Sequence, residues 1–74
     1  MPVSTKRWKE FLKSIGLIRK RTESSHEIWD MPDDSLARPV VVVTNKKEVP
    51  DLHIKTTLKN LGMTKKDFED WNNK

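Results

Sequence analysis

The sequence predicts a small α+β domain in which helices cover one face of a three-stranded antiparallel sheet. Apolar residues at helical spacing occur near the start of the chain and again in its last third. The middle contains three short stretches of β-forming residues separated by turn residues. Successive strands joined by tight turns form an antiparallel meander. Because the chain has only 74 residues, we expect residues 1–74 to form a single domain.

The first predicted element is a helix. Its apolar stripe consists of Trp8, Phe11, Leu12 and Ile15. These positions follow the spacing of one helix face, so the stripe predicts a face that packs in the core. Ser4 or Thr5 can cap the N-terminus, because a hydroxyl oxygen there accepts a hydrogen bond from a free backbone N–H. Gly16 is placed to end the helix in a left-handed conformation.

Three strands are predicted next, over residues 17–22, 25–31 and 39–44, where β-branched residues and tryptophan are frequent. Residues 31–35 combine a proline with two aspartates, which predicts a turn. The third strand is β-branched after its initial proline and too short for a buried helix, which predicts a central position in the sheet. Residues 45–47 begin the loop that leaves the sheet.

Two further helices complete the chain, the last of them a short extra C-terminal one. Asp51 is predicted to cap the first of these, and Gly62 to end it. Its buried stripe consists of Ile54, Leu58 and Leu61. Thr64 can cap the short helix, with Asp67 three residues later at capping-box spacing. Phe68 and Trp71 form its apolar pair.

Composition restricts the classes of function. Only 34% of the residues are hydrophobic, and there is no cysteine, so neither disulfides nor a thiolate metal site can support the core. The two histidines lack the spacing and number that a zinc site needs, so we expect no metal and no cofactor. The longest apolar run, Val40–Val43, is too short to span a bilayer, and nothing resembles a signal peptide. We therefore expect a soluble, cytoplasmic protein.

Basic residues occur in clusters rather than evenly. The net charge is +4, and the clusters include residues 19–21, the pair Lys46 and Lys47, and Lys6 near the start. Acidic residues gather elsewhere, over residues 30–34 and 67–70. This separation predicts one basic face that attracts a polyanion. The basic clusters are interpreted either as phosphate-binding groups or as ordinary solvated charge.

His26 lies in the stretch TESSHEIWD, within a predicted strand. A strand histidine is more often structural than catalytic, although its ordinary pKa suits proton transfer at neutral pH. His26 follows a turn closely, so we expect it to be partly exposed. Arg19 and Arg21 on the neighbouring strand are predicted to point to one face and flank it. Ser25 can either bind a phosphate oxygen or satisfy the turn backbone.

Three stretches together resemble the HicA-type toxins of bacterial toxin–antitoxin pairs. KEFLKSIGL at residues 9–17 is similar to that family's first helix and closing glycine. SSHEIW at residues 24–29 falls where the family has Gly-Ser-His, a hydrophobic residue and an aromatic. TTLKNLGM at residues 56–63 resembles its second helix and following glycine. This chain departs from the pattern at Ser24 and Thr56, which replace glycines, and at Glu27, where a second histidine is common.

The resemblance implies a double-stranded-RNA-binding-like α-β-β-β-α fold and endoribonuclease activity on messenger RNA, which it would meet as a single strand. It implies that His26 is catalytic and that a HicB-type antitoxin covers the site. Two other functions stay open. A non-catalytic RNA-binding module would have the same fold. A protein-interaction domain would use Phe68 and Trp71 as an exposed docking patch, but we expect this pair to pack as a C-terminal cap.

Overall fold

The computed structural model describes residues 3–73. The elements in chain order are β1 (Val3–Ser4), α1 (Thr5–Ser14), β2 (Ile18–Glu23), β3 (His26–Asp30), β4 (Val40–Val43), β5 (Glu48–Val49), α2 (Asp51–Asn60) and α3 (Lys65–Asn72). The predicted α+β class is confirmed, with three helices and a three-stranded antiparallel sheet. None of the helices within residues 3–73 combines the length and apolar character needed to cross a membrane.

The three-stranded sheet has the order β2-β3-β4, and both strand pairs are antiparallel. The predicted meander is therefore confirmed, but the prediction that the valine strand is central is wrong. β4 is an edge strand because a meander places its middle strand, β3, between the other two. The run of valines reflects β propensity rather than burial on both faces, since Val41 is 48% exposed.

A two-stranded ribbon was not predicted. β1 pairs antiparallel with β5, so that Val3 lies opposite Val49. At the start of α1, the Thr5 N–H donates to the Lys47 carbonyl at 2.8 Å, and the Thr5 hydroxyl donates to the Lys46 carbonyl at 2.6 Å. Two-residue strands carry no periodic signal. This ribbon forms because the N-terminal segment meets the loop after β4 in the folded chain.

The helices cover one face of the sheet. Along β3 and β4, burial alternates with the strand period of two: Trp29, Val40 and Val42 are buried, while Val41 lies on the uncovered face. The core formed on the covered face also includes Val3, Trp8, Phe11, Leu12, Leu17, Ile54, Leu58 and Phe68. The predicted stripes of the two long helices are thus confirmed as core.

An aromatic cluster joins α1 to α3. Phe68 lies edge-on to Phe11 at a centroid distance of 4.9 Å, and Trp71 lies edge-on to the same ring at 5.2 Å. Phe68 is only 3% exposed. The Arg7 guanidinium lies 4.1 Å from the centroid of the half-buried Trp71 ring. Both residues pack against α1, so the expectation of a packed C-terminal cap is confirmed and the alternative of an exposed docking patch is wrong.

Most of the predicted helix ends are confirmed. Ser4 caps α1 and accepts from the Arg7 N–H at 3.0 Å, and Gly16 has the left-handed φ of +102°. Thr64 and Asp67 form a reciprocal capping box at α3. The prediction that Asp51 caps α2 is wrong. Pro50 occupies that position without a side-chain hydrogen bond, and Asp51 is the first helical residue.

Candidate functional site

A β-bulge in β2 separates the two arginines that were predicted to flank His26. Arg19 lies opposite Trp29, and Arg21 lies opposite Ile28, so the register shifts at Lys20 between them. An extra residue in one strand reverses the alternation of side chains beyond it. Arg19 therefore lies on the helix side of the sheet and Arg21 on the uncovered side. The prediction that they point to one face is wrong.

Arg19 takes part in an ion cluster around the buried carboxylate of Glu27. The Glu27 side chain is 8% exposed, and its Oε2 lies 3.5 Å from Arg19 Nη1 and 3.6 Å from Lys9 Nζ. Its Oε1 accepts a hydrogen bond from Trp29 Nε1 at 3.1 Å. Because Trp29 is buried, its ring packs in the core and cannot stack on a base. Arg19 thus has a structural partner on the face opposite His26.

His26 is exposed at the start of β3, as predicted, on the face that no helix covers. Its antiparallel neighbours are Val43 on one side and Glu23 on the other. Arg21 lies two positions before Glu23, and its Nε contacts Glu23 Oε1 at 3.0 Å. The uncovered face therefore presents an imidazole, a carboxylate and a guanidinium together. Each of these groups can hydrogen-bond to a nucleotide.

Glu23 was missed as a site residue because of where the turn was predicted. A two-residue turn at Ser24 and Ser25 pairs the residues that flank it, which are Glu23 and His26. The predicted strands end at residue 22 and resume at residue 25, so the predicted turn lies one position too early to pair this carboxylate with the imidazole. The bulge at Lys20 has no glycine or other marker in the sequence.

The β2–β3 turn is tied to the loop after β4. The half-buried Ser25 uses its carbonyl oxygen to accept from the Thr44 N–H at 2.7 Å and from the Thr44 hydroxyl at 2.9 Å. Ser24 has a left-handed φ of +54°. That conformation is the one for which glycine is preferred, so Ser24 keeps the glycine-like turn without being glycine.

Three of the predicted basic residues gather at the same end of the sheet as His26. Lys46 and Lys47 follow Thr44 in the loop. Their carbonyl oxygens accept hydrogen bonds from Thr5, and this brings the next residue, Lys6, to the same loop. All three lysines are exposed. Among residues 3–73 none of the three lies within ion-pair distance of a carboxylate. Their charge is therefore available to a bound phosphate backbone.

The end of the sheet thus combines an exposed imidazole with lysines that form no ion pair within residues 3–73, whereas Arg19 lies on the other face. Among residues 3–73, groups of three or more histidine or acidic side chains with the proximity to hold a metal ion do not occur. The HicA resemblance depends on the sequence motifs quoted above. Comparisons of the chain with protein-family models, with curated proteins and with solved structures find no match.

Proposed function

We propose that the chain is a metal-independent endoribonuclease toxin that cleaves messenger RNA with His26 as its catalytic residue. The observation that carries this proposal is the exposed imidazole of His26, on the uncovered sheet face and at the end where Lys6, Lys46 and Lys47 gather. Exposure on this face leaves the imidazole within reach of a bound ribose, which general base catalysis requires.

In the proposed reaction, neutral His26 takes the proton from a ribose 2′-hydroxyl. The 2′-oxygen then attacks the adjacent phosphorus, and the bond from phosphorus to the 5′-oxygen breaks. The products are a 2′,3′-cyclic phosphate and a 5′-hydroxyl, whose proton comes from water or from a neighbouring cationic side chain. One histidine cannot be base and acid at the same instant, so turnover is expected to be slow.

The other residues bind the RNA substrate and take no part in the proton transfer to His26. Lys46, Lys47 and Lys6 bind backbone phosphates as point charges, and Arg21 contributes from the open face. The Ser25 hydroxyl donates to a phosphate oxygen, while the Ser25 carbonyl holds the turn against Thr44. Arg19 supports the fold through Glu27 and contacts RNA at most with its exposed end.

The proposal also includes the fold relationship and the biological setting that the resemblance implies. Helices on one face of an α-β-β-β-α sheet support a double-stranded-RNA-binding-like fold, with β1, β5 and α3 as additions. A HicB-type antitoxin would neutralise the toxin in the cytoplasm by covering the face that carries His26.

A cleavage assay tests the proposed chemistry. Purified wild-type chain is incubated with single-stranded RNA in EDTA, beside His26→Ala and the matched control His53→Ala, which removes the other exposed histidine. Wild type and His53→Ala are expected to form 2′,3′-cyclic phosphate ends. His26→Ala should cleave about 10²–10⁴-fold more slowly, the usual contribution of general acid–base catalysis, while it still binds RNA.

The same assay separates this proposal from the RNA-binding module. Intact RNA with all three proteins, together with retained binding, would favour the module and overturn the catalytic role. Lys6, Lys46 and Lys47, which make no ion pair in the described part of the chain, support binding in either case. Replacing Lys46 and Lys47 with alanine should weaken RNA binding and reduce the salt dependence of log K by about 1.4, since each single-strand phosphate contact contributes about 0.7.

A further inference from the structure

The β4 strand has an unpaired hydrogen-bonding edge. In an antiparallel pair, hydrogen-bonded residue pairs alternate with pairs that are not hydrogen-bonded. The Thr44 N–H donates to the Ser25 carbonyl, so Thr44 and Ser25 form a hydrogen-bonded pair. The next hydrogen-bonded pairs along the register are Glu27 with Val42 and Trp29 with Val40. The N–H and C=O groups of Val41 and Val43 therefore point away from β3. Within residues 3–73, β4 pairs with β3 alone.

The two edges of the sheet differ in how they are protected. The β2 edge contains the bulge at Lys20 and the charged residues of the run 19–21, both of which discourage pairing with another strand. The β4 edge consists of four valines without a charge, a bulge or a proline inside it. β4 is therefore the edge that is open to an added strand.

A groove runs along this edge, between β4 and α2. It encloses about 680 Å³ and is lined by Val40 and Val41 on one side and by α2 on the other. Leu52 of α2 lines the groove and is 72% exposed, although it is a large apolar residue. A second cavity of only about 20 Å³ shares Val41, His53 and Thr57 with the groove and reaches Val42 and Val43. The wide groove thus lies beside the first half of β4, and the small cavity lies beside the second half.

The charge of the groove favours an acidic occupant. Arg38 and Lys59 line its wide part, and no carboxylate does. Neither cation makes an ion pair with any residue from 3 to 73. Asn60 Nδ2 donates to the Arg38 carbonyl at 2.8 Å, which holds the start of the edge against α2. Lys46 and Glu48 both line the small cavity at the far end, so the excess of positive charge belongs to the wide part.

Charge also opposes one register of pairing with a second copy of this chain. In an antiparallel β4 pair that sets Val41 opposite Val43 of the second copy, Arg38 faces Lys46 of that copy at each end. Like charges placed opposite each other destabilise a strand pair. An added strand with carboxylates at its ends would instead place a negative charge opposite Arg38 and opposite Lys46.

We propose that the β4 edge and the α2 groove bind an extended, acidic segment of a partner protein as a fourth strand of the sheet. The outward N–H and C=O groups of Val41 and Val43 supply main-chain hydrogen bonds, as in other cases of strand addition. Val41 and Leu52 supply apolar contacts, and Arg38 and Lys59 select carboxylates. This docking does not require that the chain cleaves RNA, although it shares Val43, the strand neighbour of His26, and Lys46 of the basic group with the proposed RNA site.

Synthetic peptides test the proposal with the full chain. A fluorescent peptide of alternating valine and threonine, flanked by glutamates, is titrated in parallel with a lysine-flanked peptide of the same core. A third peptide keeps the glutamates but has N-methyl groups on alternate backbone amides. The glutamate peptide should bind at least about tenfold more tightly than either control, and it should slow hydrogen exchange at the Val41 and Val43 amides.

Two variants locate the site. Val41→Pro removes one outward N–H at an edge position where proline is tolerated, and Val41→Thr keeps that N–H. Proline should abolish peptide binding and threonine should retain it, with circular dichroism used to check the fold. The pair Arg38→Glu and Lys59→Glu should instead reverse the preference between the glutamate and lysine peptides, and this test stands even if Val41→Pro unfolds.

Several results would overturn the proposal. Equal binding of the three peptides, or no binding of the glutamate peptide, excludes an acidic added strand. Displacement of the peptide by RNA would assign the groove to nucleic acid. A dimer of the free chain that Val41→Pro converts to monomer, measured by sedimentation, would assign the edge to a second copy.

Discussion

Ser24 adopts a conformation that its side chain disfavours. Its φ of +54° lies in the left-handed region, while the neighbouring Ser25 is outside it. A non-glycine residue there loses about 1–2 kcal/mol. Glycine avoids this cost but gives up about 0.5–1 kcal/mol of chain entropy on folding.

We therefore expect Ser24→Gly to stabilise the fold by about 0.5–1 kcal/mol, and Ser24→Val to destabilise it. Ser25→Gly is the matched control, and it should be destabilising because Ser25 needs no positive φ. Urea denaturation measures all three changes. Equal effects of glycine at both positions would show that the turn conformation is not what limits stability.

Glu27 is the buried carboxylate on which the covered face depends. It accepts the indole N–H of Trp29, and its two cations stay accessible enough to be solvated without it. Glu27→Ala should cost about 1–3 kcal/mol, because the buried Trp29 N–H loses its acceptor. Glu27→Gln keeps an acceptor and should cost less. The measurement is urea unfolding followed by tryptophan fluorescence, and equal losses for both variants would contradict this explanation.

At the scale of elements, Asp51 connects α2 to α3. Its carboxylate accepts a hydrogen bond from Lys65 at 3.4 Å and forms an ion pair with Lys55 at 3.3 Å. The hydrogen bond from Lys55 lowers the pKa of Asp51, with a further lowering by Lys65 that desolvation partly opposes. A lowered pKa stabilises the folded state at pH values above the ordinary aspartate pKa. The effect disappears as the pH falls through the lowered value.

The pH dependence of the melting temperature tests this link. Asp51→Asn should lower the melting temperature slightly at pH 7, because exposed ion pairs contribute little, and the difference from wild type should disappear in acid. Asp70→Asn, which removes an exposed acid without an ion pair among residues 3–73, is the control. A difference that persists at low pH would contradict the ionic link.

For the whole molecule, stability depends on the aromatic cluster between α1 and α3. Phe68 contacts both Trp8 and Phe11 through edge-on rings. A domain of this size nets only about 3–5 kcal/mol from its core. Replacing a buried phenylalanine with alanine costs about 3–5 kcal/mol. The short C-terminal helix is therefore a necessary part of the fold rather than an appendage.

We expect Phe68→Ala to leave the chain largely unfolded at 25 °C, while Phe68→Leu retains a cooperative transition at lower stability. Leu52→Ala is the control, since Leu52 is an exposed apolar residue. Near-ultraviolet circular dichroism and thermal melts measure the outcome. Wild-type melting of Phe68→Ala would mean that α3 contributes little to the core.

The sequence by itself determined the α+β class, the meander, the two core stripes, the capping box of α3 and the exposure of His26. Each of these follows from local chemistry, because helical and strand periods, hydroxyl caps and turn residues act over a few positions. The imidazole that the proposed function needs could therefore be placed from the sequence alone.

The tertiary structure decided which groups share a face. One extra residue at Lys20 sends Arg19 and Arg21 to opposite sides, and the turn register brings Glu23 beside His26. The β1–β5 ribbon brings Lys6 to the loop of Lys46 and Lys47. The tertiary structure also decided that the valine strand lies at an edge of the sheet. These features depend on pairing between segments distant in the chain, where a shift of one residue reverses every side chain and leaves the local pattern unchanged.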